Sequence, residues 1–121
     1  LNQVRDGAMA TALILDMLAA SGDSFSELVS RLPRMFQYKT KFACKSREVI
    51  ERAVRACIDH GSPLKVETLD GAKVWVDEET WIMVRPSGTE PLIRMYGEST
   101  DKSLLDSKVE EYRRIVQSRI A

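Results

Sequence analysis

Between residues 64 and 98 the sequence alternates short strand-like runs with connections of only a few residues. The runs are LKVETL, AKVWV, WIMVRP and PLIRMYGE, and turn-forming or polar residues separate each from the next. Connections this short can join only antiparallel neighbours, because a parallel pair needs a crossover of a dozen or more residues. Asp70-Gly71 predicts a two-residue hairpin turn. We predict three antiparallel strands from this region.

Patterns on either side of this region complete the domain. Residues 35–43, MFQYKTKFA, alternate loosely and predict a further strand. Ser46 is a predicted N-cap for an amphipathic helix, and Thr100 or Asp101 caps a second one. The order after residue 33 is therefore a strand, a helix, three strands and a helix. It predicts an α+β domain with a four-stranded, mainly antiparallel sheet and helices on one face.

Each of these two helices carries an apolar stripe at helical spacing. The first stripe consists of Val49, Ile50, Ala53, Val54, Cys57 and Ile58. The second consists of Leu105, Val109, Tyr112 and Val116. Such stripes face the core of a globular domain, so these positions are its predicted helical lining.

The N-terminal part of the chain predicts a helix of a different character. Residues 8–20, AMATALILDMLAA, are almost wholly apolar, with Asp6 as a predicted N-cap and Gly22 just past the end. Apolar residues occupy nearly every side of this helix, which is typical of burial from all directions. A helix at the very end of a small domain rarely finds that much cover, so we expect the chain to be part of something larger.

Charge and cysteine content exclude several classes of function. The 18 basic and 18 acidic side chains cancel, so no global field would attract the chain to nucleic acid or a membrane. Residues 31–55 hold eight Lys or Arg, which we interpret as solvated faces. Two cysteines and one histidine form no metal-ligand pattern, so we expect no metal site. Two reduced thiols favour a cytoplasmic location.

One loop between two predicted strands concentrates hydrogen-bond donors. Its sequence is RPSGTEP, residues 85–91. Arg85 offers a planar fork that matches two phosphate oxygens at once, and Ser87 and Thr89 each add a hydroxyl. Gly88 can adopt a positive φ, which would let successive backbone N–H groups converge on an anion. The loop is a predicted phosphate site, with a plain hairpin turn as the alternative.

Two charged residues beside these donors are secondary candidates. Arg94 would add a second cation to the site, or would form a surface ion pair with Glu90 or Glu98. Glu90 would repel a phosphate, so its expected role is to orient Arg85 or Arg94, or to accept from a sugar hydroxyl.

The loop resembles a signature of the α-D-phosphohexomutases, a family of phosphoglucomutases, phosphomannomutases and phosphoglucosamine mutases. Residues 85–91, followed by Ile93, Arg94 and Tyr96, are similar to the R-x-S-[GN]-T-x-P loop near the C-terminus of that family. The resemblance extends over essentially the whole chain. Residues 5–7 with the apolar helix resemble the end of the family's third domain, and residues 25–39 resemble the segment that enters its fourth. The resemblance thereby implies that residues 1–22 are the helical end of a preceding domain and residues 23–121 are the C-terminal domain itself.

The resemblance implies a fold and a role. The family's fourth domain is an antiparallel sheet with helices on one face, similar to the TATA-binding-protein fold. A phosphoserine of the first domain donates its phosphoryl group to a hexose monophosphate, and the bisphosphate formed turns over inside the cleft. The fourth domain holds the phosphate that is not reacting. This contact is thereby assigned to Arg85, Ser87, Gly88 and Thr89.

The family's other functional loops do not occur in this sequence. They are the serine nucleophile loop, the D-G-D-G-D-R magnesium loop and the sugar-reading G-E-x-S-G loop. The resemblance therefore implies an isomerase whose catalytic residues and Mg²⁺ belong to other parts of a full-length chain, with no cofactor bound here. The expected partners are a hexose phosphate and the remaining domains. Glucose, mannose and an amino sugar all stay open, with a preference for a phosphoglucosamine or broad-specificity mutase.

Two other functions are compatible with the same fold. One is a non-catalytic nucleic-acid-binding module that uses the basic residues 31–55, although zero net charge counts against it. The other is a protein-interaction module that uses helix 8–20 as an exposed apolar patch.

Overall fold

The structure, a computed structural model, describes residues 6–121. The chain divides into two compact units between Pro33 and Arg34. The predicted domain boundary after residue 22 concerns the organisation of a longer chain and stays a prediction. Arg5, which belongs to the resemblance at the N-terminus, lies outside the described residues.

The first unit contains α1 (Gly7–Ser21) and α2 (Phe25–Ser30). Oδ1 of Asp6 accepts a hydrogen bond from the Met9 N–H at 2.9 Å, and Gly22 follows α1 with φ 72° in the left-handed region. The helix predicted over 8–20 and both of its ends are confirmed. No residue of α1 is buried. No helix within residues 6–121 is both long enough and apolar enough to cross a membrane.

The second unit is an antiparallel sheet with two helices. Its elements are β1 (Phe36–Ala43), α3 (Arg47–Ile58), β2 (Lys65–Glu67), β3 (Ala72–Trp75), β4 (Trp81–Pro86), β5 (Leu92–Ser99) and α4 (Lys102–Ile120). The strand order is β1-β5-β4-β3-β2, with every pair antiparallel. The predicted α+β class is confirmed, but the sheet has five strands and the prediction of four is wrong. Three turns between residues 64 and 98 join four strands there, of which β2 is only three residues long.

The connection between β2 and β3 also differs from its prediction. Glu67 pairs with Lys73, and residues 68–71 connect the strands, so the predicted two-residue turn is wrong. Gly71 has φ 113°, and a Cβ there would lie 2.5 Å from Val84 O and 2.8 Å from Arg85 Cβ. The turn is shaped by close contact with β4, which needs a residue without a side chain.

The core lies between one face of the sheet and the two helices. Side chains from both layers are buried: Ile50, Ala53 and Cys57 of α3, Leu105, Val109, Tyr112 and Val116 of α4, and Ala72, Val74, Ile82, Val84, Ile93 and Met95 of the strands. The predicted stripe of α4 is confirmed in full, and Val54 and Ile58 of α3 pack against the core while only partly buried. The likeness to the TATA-binding-protein fold stays a prediction.

Gly97 on β5 shows how closely α4 approaches the sheet. A Cβ at this position would come within 2.9 Å of both Ile82 Cδ1 and Leu105 Cδ1. The absence of a side chain therefore lets Leu105 settle directly on the strand. The other face of the sheet has no helix over it among residues 34–121, so the side chains that alternate with the core residues remain accessible there.

Candidate functional site

The donor-rich loop connects β4 to β5 and is fixed at its base by backbone hydrogen bonds. The Ser87 N–H donates to Leu92 O at 2.9 Å, and the Leu92 N–H donates to Glu90 O at 2.8 Å. The Cys44 N–H, just after β1, donates to Pro91 O at 2.9 Å. These bonds hold residues 87–91 as an ordered turn, and they use up the backbone donor of Ser87.

The outer part of the loop keeps its donors exposed. Within residues 6–121, the backbone N–H groups of Gly88, Thr89 and Glu90 donate to no protein atom, nor do the hydroxyls of Ser87 and Thr89. Gly88, Thr89 and Glu90 are all exposed. Five donors therefore stand on one short turn without a protein acceptor among the described residues, so they are available to water or to a ligand.

Gly88 does not have the predicted backbone conformation. Its φ is not positive, unlike those of Gly22, Gly61 and Gly71. The predicted positive-φ nest at Gly88 is therefore wrong, and Ser87 N–H cannot join the cluster because it is bonded to Leu92 O. A Cβ at Gly88 would meet nothing within 4 Å, so this glycine leaves open space above the backbone. Steric contact inside the protein gives no reason for a glycine at this position.

Arg85 is the last but one residue of β4, on the face of the sheet that no helix of residues 34–121 covers. Its Nη1 donates to Oδ2 of Asp70, which stands on the β2–β3 connection, and Gly71 allows that connection to approach. Its Nε is buried without a hydrogen-bond partner among the described residues. The guanidinium is thus held on one side by a carboxylate, while its other donors are not used by the protein. The sequence revealed Asp70 only as a turn residue, since nothing in it indicates contact with Arg85.

Arg94 stands directly opposite Arg85 in the register of β4 and β5. Its Nη2 lies 3.4 Å from Oε2 of Glu90, so the ion pair forms with Glu90, while Glu98 accepts from Gln37 Nε2 at 2.9 Å. Both members of the Arg94–Glu90 pair are about half exposed, and such a pair contributes little to stability. The pair holds both side chains beside the donors of the loop.

Two recesses border the loop, the first along residues 86–91 and the second at Glu90 alone. The helix-side recess, of about 470 Å³, is lined by residues 86–91 with Arg47, Ile50, Glu51 and Asp70. The open-face recess, of about 440 Å³, is lined by Lys39, Thr40, Lys41, Glu90, Arg94 and Tyr96. Sequence reasoning treated Lys39, Lys41 and Arg47 as solvated charges. The spacing of two between Lys39 and Lys41 on a strand was the available signal that they share a face.

The cysteines and the histidine lie outside both recesses. Burial raises the pKa of the Cys57 thiol to about 12, and burial also raises the pKa of Cys44, against a backbone hydrogen bond from Ile93 that lowers it. Both thiols are therefore protonated and unreactive near neutral pH. His60 contacts Glu111 of α4, with Nε2 and Oε1 2.5 Å apart. Within residues 6–121, no three His, Cys, Asp or Glu residues are placed to hold a metal ion.

Comparison with known proteins identifies relatives along nearly the whole chain. The family model described as "Phosphoglucomutase/phosphomannomutase, C-terminal domain" matches residues 41–115. A phosphoglucosamine/phosphogalactosamine mutase of Sulfurisphaera tokodaii is 37% identical over 118 residues, which are 96% of this chain and 26% of that protein. A phosphoglucomutase/phosphomannomutase of Thermococcus kodakarensis is 40% identical over 108 residues, 89% of this chain and 23% of the relative.

A solved structure has the same fold. It is a phosphoglucomutase/phosphomannomutase family protein from Burkholderia thailandensis, with a TM-score of 0.76 and 24% sequence identity. The match covers 98% of this chain and 25% of that one. This chain therefore spans about a quarter of the length of the relatives that it matches.

Proposed function

The chain belongs to the phosphoglucomutase/phosphomannomutase family and corresponds to its C-terminal domain, and on this premise we propose that it binds the substrate phosphate of a hexose-phosphate mutase. The enzyme would interconvert a sugar 1-phosphate and a sugar 6-phosphate. The loop at residues 85–91 would hold the phosphate that is not reacting. Arg85, Ser87, Gly88 and Thr89 are the proposed contacts.

The observation that carries this proposal is the unused donor set of the loop. Three backbone N–H groups and two hydroxyls stand on the loop that follows the Arg85 guanidinium, and none of the five has a protein acceptor within residues 6–121. A phosphate monoester dianion supplies enough acceptors for all of them. Charge-assisted hydrogen bonds contribute about 1.5–3 kcal/mol each, so a few suffice to offset the desolvation of the anion. The open space at Gly88 lets an oxygen approach the backbone.

Binding at this loop would assist catalysis by positioning. The chain's own donors fix one end of the substrate, and that binding energy orients the other end towards reactive groups elsewhere in the enzyme. A phosphoserine outside this chain would supply the phosphoryl group, and a bisphosphate would be the intermediate. The described residues present no set that fits Mg²⁺, so an ion needed by the full-length enzyme would be held by other residues.

The sugar itself is not read by the loop. The two relatives named above are described as mutases of different hexose phosphates, and the loop's donors suit the phosphate that such substrates share. We propose a phosphoglucosamine or broad-specificity mutase, with discrimination made outside this chain. The nucleic-acid and protein-interaction alternatives gain no support from these relatives.

Inorganic phosphate is the simplest probe of the proposed site. The ¹⁵N-labelled chain would be titrated with phosphate at constant ionic strength, with sodium chloride as the matched control for salt effects. We expect the amide resonances of residues 87–90 to move with phosphate and to stay in place with chloride. If the loop amide resonances do not move at the highest phosphate concentration, the proposal is contradicted.

The activity of the isolated chain gives a second test. Since the reactive groups are proposed to lie elsewhere, the purified chain should not convert glucose 1-phosphate to glucose 6-phosphate, even with Mg²⁺ and a glucose bisphosphate primer. A coupled dehydrogenase assay would measure this, with a full-length mutase as the positive control. Turnover by the chain alone would overturn the assignment of the catalytic groups to other domains.

A further inference from the structure

The two recesses beside the loop carry opposite charge. The helix-side recess has one cation, Arg47, against three carboxylates, and Arg47 already lies 3.2 Å from Oε1 of Glu51. The other carboxylates are those of Asp70 and Glu90. The open-face recess has three cations, those of Lys39, Lys41 and Arg94, against Glu90 alone. A dianion is repelled from the first recess and attracted to the second.

The cations of the open face form a row across three strands. Lys41 on β1 is directly opposite Arg94 on β5, and Arg94 is directly opposite Arg85 on β4. Residues directly opposite each other present their side chains on the same face, and like charges so placed destabilise a sheet. The row has carboxylate partners only for its two arginines, Asp70 for Arg85 and Glu90 for Arg94. Within residues 34–121, Lys41 has no ion-pair partner.

An anion resting on this row would remove the repulsion. Neighbouring strands are about 4.8 Å apart, so the three Cα positions span roughly 10 Å. A lysine or arginine side chain is long enough to reach the centre of such a row from either end. The exposed side chain of Lys41 can therefore meet the guanidinium groups at a single phosphate.

Ser87, Gly88 and Thr89 line the helix-side recess, and of residues 85–91 only Glu90 lines the open-face recess. We propose that the phosphate held by these donors faces the open-face cations and not the helix-side carboxylates, and that Lys41 is a further binding residue of the site. This inference rests on the proposed function, which assigns the loop to a phosphate without saying from which side it is approached. The ligand is the phosphate monoester dianion of the hexose phosphate. Lys39, one row farther from the loop and opposite Tyr96, makes a weaker, longer-range contribution to the same site.

The test compares two variants that remove one positive charge each from exposed positions. Lys41→Ala acts on the open-face recess, and Arg47→Ala acts on the helix-side recess as the matched control. Dissociation constants for inorganic phosphate would be measured from the amide shifts of the loop at low ionic strength. We expect Lys41→Ala to weaken binding about five- to tenfold, as loss of one charged contact does, and Lys41→Arg to restore it. Arg47→Ala should change binding less than about twofold, since Arg47 is already paired with Glu51.

The amide shifts in the unsubstituted chain give an independent readout. Phosphate on the open face should move Lys39, Lys41 and Tyr96 together with the loop, and should leave Ile50 and Glu51 in place. If the loop responds but Ile50 and Glu51 move in place of Lys41, or if Arg47→Ala is the damaging variant, the inference is wrong and the proposed function stands.

A different pattern of binding results would contradict the proposed function itself. Arg85→Ala serves as the reference, because Arg85 is a contact in the proposed site whichever side the anion takes. Binding that is insensitive to Arg85→Ala, or absent from the unsubstituted chain, would contradict the proposed function and the inference together. A native-like amide spectrum for each variant excludes unfolding as the cause of any loss.

Discussion

The two ends of the β4–β5 pair use the same residue types for opposite purposes. At one end, the hydroxyls of Thr80 and Ser99 are buried and lie 2.8 Å apart, and Ser99 Oγ also accepts from the Asp101 N–H at 2.9 Å. At the other end, the hydroxyls of Ser87 and Thr89 have no protein partner within residues 6–121. Identical chemistry is thus satisfied inside the protein in one place and presented to solvent in the other.

The difference separates groups that stabilise the fold from groups available to a ligand. A buried hydroxyl that loses its partner keeps the full desolvation penalty, which makes such a pair important for stability. An exposed hydroxyl bonded to water contributes almost nothing to stability and can exchange water for a ligand at little cost. Substitutions at the two ends should therefore affect different measurements.

The largest effect is expected for Arg85→Ala at the loop end. Loss of the guanidinium should weaken phosphate binding by about 3 kcal/mol, or roughly 100-fold, because it removes a charged, multidentate donor. Stability should change by less than about 1 kcal/mol, since the ion pair with Asp70 is partly exposed. Phosphate titration and urea unfolding of the same samples measure both. In a full-length mutase the change should raise KM and lower kcat together; unaltered kinetics would count against the site.

Thr80→Val at the buried end should have the next largest effect, on stability alone. Valine has the shape of threonine but leaves the buried Ser99 hydroxyl without its Thr80 partner, which costs about 2 kcal/mol. Adding Ser99→Ala removes the unpaired hydroxyl but also the acceptor of the Asp101 N–H, so it should restore only part of this loss. Urea unfolding measures both variants, and phosphate affinity is the control that should not move. If Thr80→Val lowers the free energy of unfolding by less than about 0.5 kcal/mol, the proposed difference between the two ends is wrong.

Thr89→Val makes the matched substitution at the loop end. Its effect on unfolding should stay within about 0.5 kcal/mol, as for other exposed positions. Phosphate binding should weaken by about 1 kcal/mol, or roughly fivefold, through loss of one hydroxyl donor. Thr80→Val should therefore lower stability without changing phosphate affinity, whereas Thr89→Val should weaken phosphate binding without changing stability. Unfolding at much lower urea for Thr89→Val would show that the loop hydroxyl has a structural role.

The smallest effect concerns pH at the buried end. The pKa of Asp101 is lowered from its usual 3.8, chiefly by the backbone hydrogen bond from Leu104 and then by those from Ser103. A lowered folded-state pKa adds stability that is fully present above about pH 4 and is lost as pH falls through the folded value. Asp101→Asn should remove this acid-dependent part while keeping the N-cap. Thermal unfolding between pH 2 and pH 6 measures it; equal slopes for both proteins would contradict the prediction.

Local chemistry made some elements predictable. The N-caps Asp6, Ser46 and Asp101 each accept hydrogen bonds from helix residues two or three positions ahead, so they are recognisable from a few letters. The stripe of α4 follows from helical period alone. The loop at residues 85–91 was visible because its donors are adjacent in the chain.

Features that depend on long-range contact were missed. The predicted count of strands was wrong because all four strand-like runs between residues 64 and 98 form strands, including the short β2 that pairs with β3. The predicted two-residue turn failed because Gly71 fits against Val84 and Arg85. The ion pair between Asp70 and Arg85 joins the β2–β3 connection to the end of β4, and the β3–β4 register brings the two together.

The sequence by itself determined the helix ends, the alternation of the strands and the composition of the donor loop, because each arises from residues within one or two turns of one another. Tertiary structure decided which strands are neighbours, and with that the charge on either side of the loop. Lys41, Arg94 and Arg85 stand in one row only because β5 lies between β1 and β4. Electrostatic interaction depends on distance in space, and distance along the chain gives no measure of it.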